Sequence, residues 1–336
     1  MKKHINLFDT TMRDGSHALS HSYTVEQVGE IARSLDEAGI RYIEIAHGDG
    51  LAGSTINYGK SAVDEYKLIA EVRKQAPNAK VVCLMLPGIA TTKDIDRAIE
   101  LGVDAVRVAV HVTEADVGEE HITYAKEKGL FVFSFLMMAH MASTERAVSE
   151  AKKLVEYGTD ALYIGDSSGH MVMSDVTKII SAMVKELDIP IGFHAHNNLG
   201  VGIANAIAAA EAGATFIDGT CRGLGAGAGN AQLEVLNCVL QRYGYETGVD
   251  PYKLMDVAQD VVEPIMPRPI IIRTDALMLG VAGIYSSFFL HVRKAAEQYD
   301  LEERDIIVEL GKRKMVGGQE DKIIEVAYDL AQEKNK

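Results

Sequence analysis

Short apolar runs alternate with amphipathic segments along the first three-quarters of the chain. Eight runs read as strands: INLFDT (5–10), RYIEIAH (41–47), KVVCLML (80–86), AVRVAV (105–110), FVFSFLM (131–137), ALYIGD (161–166), PIGFHAH (190–196) and TFIDGT (215–220). Between them, segments such as TVEQVGEIARSLDEAG, SAVDEYKLIAEVRKQ, TERAVSEAKKLVEYG and VGIANAIAAAEAG repeat apolar residues three and four apart. That is the spacing of one buried helix face. Gly39, Gly102, Gly129, Gly158 and Gly213 stand where such helices would end, as a left-handed cap favours. Strands this apolar, separated by helices, imply a parallel sheet covered on its outside. Eight such units predict an α/β fold, the (β/α)8 TIM barrel. An open doubly wound sheet competes, but it needs a glycine-rich phosphate turn after strand one, and DTTMRDGSH is not GxGxxG.

After about residue 248 the alternation stops. DPYKLMDVAQDVVEPIM, DALMLGVAGIYSSFFLHVRKAAEQY, ERDIIVELGKRK and EDKIIEVAYDLAQEKNK read as helices without strands, and Pro264, Pro267 and Pro269 punctuate the first joint. The expected division is a catalytic barrel over 1–248 and a helical C-terminal extension over 249–336.

Composition narrows the function classes. The chain has 336 residues, is 47% hydrophobic and carries a formal net charge of −14. A sizeable core can be buried, while nucleic acid and anionic membranes, which need Lys and Arg to neutralise phosphates, are disfavoured as partners. Cys83, Cys221 and Cys238 show no CxxC spacing, which suits a reducing compartment. MKKHINLFD is too short an apolar stretch for a signal peptide, and no apolar run approaches the roughly 20 residues of a membrane span. The expectation is a soluble cytoplasmic protein.

In such barrels chemistry sits at the C-terminal strand ends. Those ends carry Asp9, Arg13, Asp14 and His17 after strand one, Glu44 and His47 at strand two, and Arg107 and His111 at strand four. His140 follows strand five; Asp166, Ser167, Ser168 and His170 follow strand six. His194 and His196, two apart on strand seven, face the same side, and two imidazoles on one face suit a divalent transition metal. Strand one is only one strand away around a closed ring, so Asp14 or Asp9 would complete a three-ligand set. Such a His2Asp site suits Mn²⁺, Co²⁺ or Mg²⁺, with Zn²⁺ also accommodated. A hydrogen-bonded histidine pair is the bland alternative, and the strand-end position with its acidic partner outweighs it. His47, His111, His140 and His170 are assigned supporting or structural roles. The glycine-rich GLGAGAGN lets backbone approach a small ligand closely. No strand carries a lysine near its C-terminal end, which disfavours Schiff-base chemistry.

Together TTMRDGSHALSHSYT, FHAHNNLGVGIANAIAAAEAGA, GAGAGNAQLEV and GIYSSF resemble the 4-hydroxy-2-oxovalerate aldolases, a branch of the HMG-CoA-lyase-like (DRE-TIM) metal-dependent barrels. The similarity runs through almost the whole chain. The superfamily shares an RDG turn, an HxHN strand and an AGN loop; His17, two residues past RDG, marks the aldolase branch. The resemblance implies that Asp14, His194 and His196 bind the metal, Mn²⁺ by preference, with Asn230 as an additional or water-mediated ligand. It implies that Arg13 stabilises an enolate, His17 acts as base, and Ser167 contacts the substrate carboxylate. Tyr285 would reach in from the extension, and Glu44 would orient Arg13. The implied reaction is retro-aldol cleavage to pyruvate and a short aldehyde, the aldehyde passing through a channel to an acylating aldehyde dehydrogenase that uses NAD and CoA. MLGVAGIYSSFFL, richer in apolar residues than a solvated tail needs, is compatible with docking such a partner, or with simple packing.

Three alternatives compete. A Claisen-type acyl-CoA enzyme or lyase would place a reactive cysteine in the glycine-rich loop for the lyase branch, whereas Cys221 lies before GLGAGAGN. A silent scaffold barrel would have lost the metal or base positions. A metal-dependent hydrolase would carry HxH on its first strand rather than its seventh.

Overall fold

The computed structural model describes residues 3–285, 288–315, 319 and 321–334; Ser286 and Ser287 of the GIYSSF stretch lie outside them. Eight parallel strands close into a barrel in sequence order: β1 (Asn6–Asp9), β2 (Tyr42–Glu44), β3 (Lys80–Met85), β4 (Ala105–His111), β5 (Phe131–Met137), β6 (Ala161–Asp166), β7 (Ile191–Ala195) and β8 (Phe216–Gly219). β8 pairs back onto β1 with Phe8 opposite Asp218. β2 is shorter than the apolar run RYIEIAH, because after Glu44 the chain leaves the ladder to form a loop across the barrel mouth.

The helices form where side-chain spacing and capping agree. α1 (Val25–Ala38) begins with a reciprocal cap between Thr24 and Gln27 and ends at Gly39, whose φ of 95° is open to glycine at little strain. Around the barrel follow α2 (Glu65–Gln75), α3 (Thr92–Glu100), α4 (Glu119–Glu127), α5 (Thr144–Glu156), α6 (Met173–Glu186), α7 (Gly202–Glu211) and α8 (Leu233–Arg242). Their apolar faces cover the outward-facing strand residues, among them Leu7, Ile43, Val106, Val108, Ile164 and Phe193.

Strand alternation sends the other residues inward. The lower interior is filled by Phe8, Phe133, Tyr163 and Phe216, with ring centroids 5.4–5.9 Å apart for Phe133–Phe216, Phe8–Phe133 and Phe133–Tyr163. The barrel is therefore a packed plug below and a cavity only at its mouth.

Beyond β8 the chain stays with the barrel for longer than the loss of alternation implies. α9 (Pro251–Asp256) packs on α1, and Leu254, Val257, Ala258 and Val262 join the barrel's own core. A second core, with Leu279, Ile284, Phe288, Val292, Ile307 and Val326, is built by α10 (Thr274–Ala282), α11 (Phe289–Tyr299), α12 (Glu303–Lys312) and α13 (Asp321–Lys334). Much of the apolar content of MLGVAGIYSSFFL is thus buried within the extension itself. Two barrel histidines tie α10 down: the His170 ring bonds the Gly280 carbonyl at 2.6 Å and His140 bonds that of Gly283 at 3.0 Å. Among the described residues, no helix is long and apolar enough to cross a membrane.

Candidate active site

The turn after β1 folds on a single acceptor: the amides of Arg13, Asp14 and Gly15 converge on the Thr10 carbonyl at 2.9–3.2 Å. This reverses the chain sharply and opens a short 3-10 turn, Asp14–Leu19, that carries Asp14 and His17 over the barrel mouth. Asp9 does not face the mouth. It alternates with the inward Phe8, and its carboxylate accepts from the Thr11 amide at 3.0 Å and hydroxyl at 2.6 Å. Burial raises its pKa to about 7 against those two bonds. Of the two candidate carboxylates, only Asp14 joins the histidines.

Asp14 Oδ2 lies 3.3 Å from His194 Nε2 and 3.7 Å from His196 Nε2. The His194 Nδ1 bonds the Asp218 carboxylate at 2.8 Å, which as an N–H donor leaves Nε2 free to offer a lone pair. Burial pushes His196 down to about 4, which keeps it neutral near pH 7. Although burial works against it, Asp14 is held well below the ordinary carboxylate range by Arg13, His196 and His194.

Arg13 is gripped on two sides. Its Nε donates to Glu44 at 2.6 Å and its NH1 to Asp14 at 2.9 Å. Behind them lies a second arginine. Arg107 forms a bidentate pair with Asp218 at 2.6 and 3.2 Å, and its Nε lies 3.3 Å from Glu44 as an ion pair. The guanidinium of Arg107 also sits 3.9 Å from the Phe8 ring centre and 4.2 Å from that of Tyr163. A closed circuit results: Arg13, Glu44, Arg107, Asp218, His194, Asp14 and back to Arg13. Two guanidiniums face three carboxylates, a surplus of one negative charge among them; although burial works against it, the bonds to Asp14 and Asp218 raise the His194 pKa in response.

Arg13, Asp14, His17, Ser167, His194, His196 and Tyr285 all line one cavity. Ser167 Oγ accepts from the Met138 amide at 3.1 Å, and Tyr285 enters from the chain between α10 and α11. Glu44 is buried behind Arg13 and does not line the cavity. Asn230 donates through Nδ2 to Leu224 at 3.0 Å, while its Oδ1 is buried with no hydrogen bond among the described residues; Asp14 Oδ1 is in the same condition. Orphaned buried oxygens beside two imidazoles, with a surplus negative charge, are what a divalent cation would satisfy, so the residues fit one. The glycine-rich loop is clamped to the segment that follows β7: Asn197 donates its amide to the Gly229 carbonyl, and Asn198 accepts from the Ala228 amide at 2.8 Å. A Cβ on Gly229 would collide with the Gly223 carbonyl.

His47, His111, His140 and His170 stay outside the cavity lining. Arg107, on β4, and Asp218, on β8, are functional residues that no motif in the sequence singles out. Their signal was a charge at an inward position of an apolar strand, which must find a partner when buried. Cys221 is buried and its thiol pushed well up by that burial, unlike a reactive loop cysteine.

Comparison with known proteins agrees with this geometry. The HMGL-like family matches residues 4–261, and the DmpG-like communication domain matches 270–332. The 4-hydroxy-2-oxovalerate aldolase of Moorella thermoacetica is 56% identical over 330 residues, covering 98% of each chain. That of Carboxydothermus hydrogenoformans is 53% identical over 331 residues, again 98% of each. The carboxyl transferase domain of Rhizobium etli pyruvate carboxylase superposes with a TM-score of 0.84 at 17% identity, over 99% of this chain and 61% of that one, a likeness of fold alone. Barrel, turn and extension together make this chain a member of the HMGL-like family, within the branch of the 4-hydroxy-2-oxovalerate aldolases.

Proposed function

We propose that the chain cleaves 4-hydroxy-2-oxovalerate, and close homologues, into pyruvate and acetaldehyde by retro-aldol chemistry. Asp14, His194 and His196 would hold a divalent cation, Mn²⁺ by preference, with Asn230 as a further ligand. When bound, such a cation supplies Lewis acidity to the 2-oxo group as C3–C4 breaks. The family generally depends on a divalent metal, and the candidate ligands lie within 4.8 Å of one another. Arg13 provides a second fixed positive charge where enolate charge develops. Glu44 and Asp14 take its Nε and NH1, which fixes the guanidinium plane and leaves NH2, bonded to none of the described residues, for substrate. His17 removes the proton of the 4-hydroxyl, Ser167 contacts the substrate carboxylate, and Tyr285 closes the cavity from the extension.

The observation that carries this reading is that one turn sets a carboxylate, a guanidinium and an imidazole against His194 on β7 and His196 just past its end, around a single cavity. The match to a communication domain supports a second part: the aldehyde passes to an acylating aldehyde dehydrogenase held in a complex. We also place the division between catalytic body and extension near residues 262–270 rather than at 248, because Leu254, Val257 and Val262 belong to the barrel core. The test is to incubate metal-free protein with 4-hydroxy-2-oxovalerate, add Mn²⁺, and follow pyruvate. Release should begin only after the metal. Equal release without it, or none with it, overturns the assignment.

A further inference from the structure

We infer that the barrel mouth holds a second cation site, built from His17, His21 and Asp49, which takes a divalent transition metal of the Zn²⁺ or Co²⁺ class. One ligand atom from each of these residues lies within 4.8 Å of the others. None of them belongs to the Asp14, His194 and His196 set. His17 and Asp49 stand on the wall shared by the active-site cavity and a larger cleft beside the extension, and His21 lines that cleft.

Three features aim the donors at one point. Ser20 and His21 are consecutive non-glycine residues with positive φ, 51° and 57°, which turns the His21 ring back to 5.0 Å from that of His17. The tautomer of His21 follows from its neighbour. Ser16 Oγ donates its only proton to the Arg13 carbonyl at 2.7 Å, so it can only accept from His21 Nδ1 at 3.0 Å. The His21 Nε2 lone pair is then free, the same arrangement that Asp218 imposes on His194. His47 stacks on His21 at 3.8 Å and acts as a wall rather than a ligand. Its Nε2 bonds the Gly59 carbonyl and its Nδ1 accepts from the Asp49 amide.

Asp49 is the independent observation. Its side chain is only 8% exposed and accepts no hydrogen bond among the described residues. Among the described residues, the one titratable base within ion-pair reach is His47 Nδ1 at 3.6 Å, and that nitrogen, accepting an amide proton, is not a cation. A buried carboxylate without a counter-charge beside two open imidazoles is a cation site by its chemistry. Gly48 lets the rings approach: a Cβ there would fall 2.6 Å from His17 Nε2 and 2.8 Å from His21 Cε1. Two imidazole nitrogens and one carboxylate oxygen suit a divalent transition metal, for which Co²⁺ and Zn²⁺ serve as probes. Occupancy ties up His17, so such a metal inhibits turnover; that consequence, unlike the site itself, rests on His17 being the base.

The test uses untagged, metal-free full-length protein equilibrated with micromolar Co²⁺, with metal content measured after removal of free ion. The wild type should bind a second ion per chain, and His21→Ala and Asp49→Asn should each lose one. Zn²⁺ added to the Mn²⁺-loaded wild type should lower turnover by about 10²-fold or more, as loss of a general base does, and His21→Ala should resist it. Wild type holding a single ion at saturation, or His21→Ala binding as many ions as wild type, overturns the proposal. Asp14→Asn separates the two readings: if it keeps the full metal content, the first site falls while the second stands on His21→Ala alone.

Discussion

The floor and the mouth of the barrel interior are built from the same strands, two residues apart, yet they bury opposite chemistry. β8 turns Phe216 inward below and Asp218 above; β2 does so with Tyr42 and Glu44, β4 with Ala105 and Arg107, β7 with Gly192 and His194. The floor gains from burial outright, because its aromatic surface leaves water. The mouth loses the hydration of its charges, and its two guanidiniums are tolerable there only because each is paired with carboxylates. Stability therefore resides below, and above it is conditional on a complete circuit.

The largest expected effect lies outside that circuit. His17→Ala should lower kcat by about 10²–10⁴-fold while leaving the unfolding midpoint where it was. Unchanged turnover would remove His17 from its role as base. Next comes Asp218→Ala, which strands Arg107 without its bidentate partner and His194 without its orienting acceptor. Denaturant unfolding should show a loss of about 3–5 kcal/mol, and metal affinity should fall by about 10–100-fold. Two residues below, Phe216→Leu should cost only about 1–2 kcal/mol and leave metal affinity intact. If the two variants behaved alike, the contrast between floor and mouth would be empty.

The smallest effect concerns how the extension is tied to the mouth. His140, bonded to the Gly283 carbonyl, has its pKa lowered by burial from 6.5 to about 4. Neutral imidazole is thus favoured when the extension is docked. Its contribution is complete above about 6.5 and is lost as pH falls towards 4, since the undocked or unfolded ring takes up a proton first. Hydrogen exchange in α10, corrected for intrinsic rate, should accelerate between pH 7 and 5 while the barrel strands keep their protection. Uniform acceleration of both would show that the tie is not local.

Much of the architecture is legible without coordinates because it follows from periodicity. Runs of apolar residues separated by helix-period segments imply the eight-stranded barrel, and alternation along PIGFHAH puts His194 and His196 on one face. The RDG turn was legible as a ligand-rich segment through its placement after a strand. The same alternation, applied to LFD, turns Asp9 away from the mouth and leaves Asp14 as the carboxylate beside the histidines. The length of the barrel's own body was harder to see. Leu254, Val257 and Val262 are helical like the extension, and only their packing against the barrel assigns them to it.

What the chain determines by itself is every property that repeats along it: strand and helix period, capping residues, and which side chains share a face. What only the tertiary structure decides is which inward charges meet. Arg107 and Asp218 are 111 residues apart and stand on strands at opposite sides of the closed barrel, where their side chains reach each other at 2.6 Å. Likewise, the convergence of His17, His21 and Asp49 depends on two left-handed residues and on the path of the loop after β2. The reason is physical: periodicity is a local property of the backbone, whereas compensation of a buried charge depends on distances set by ring closure.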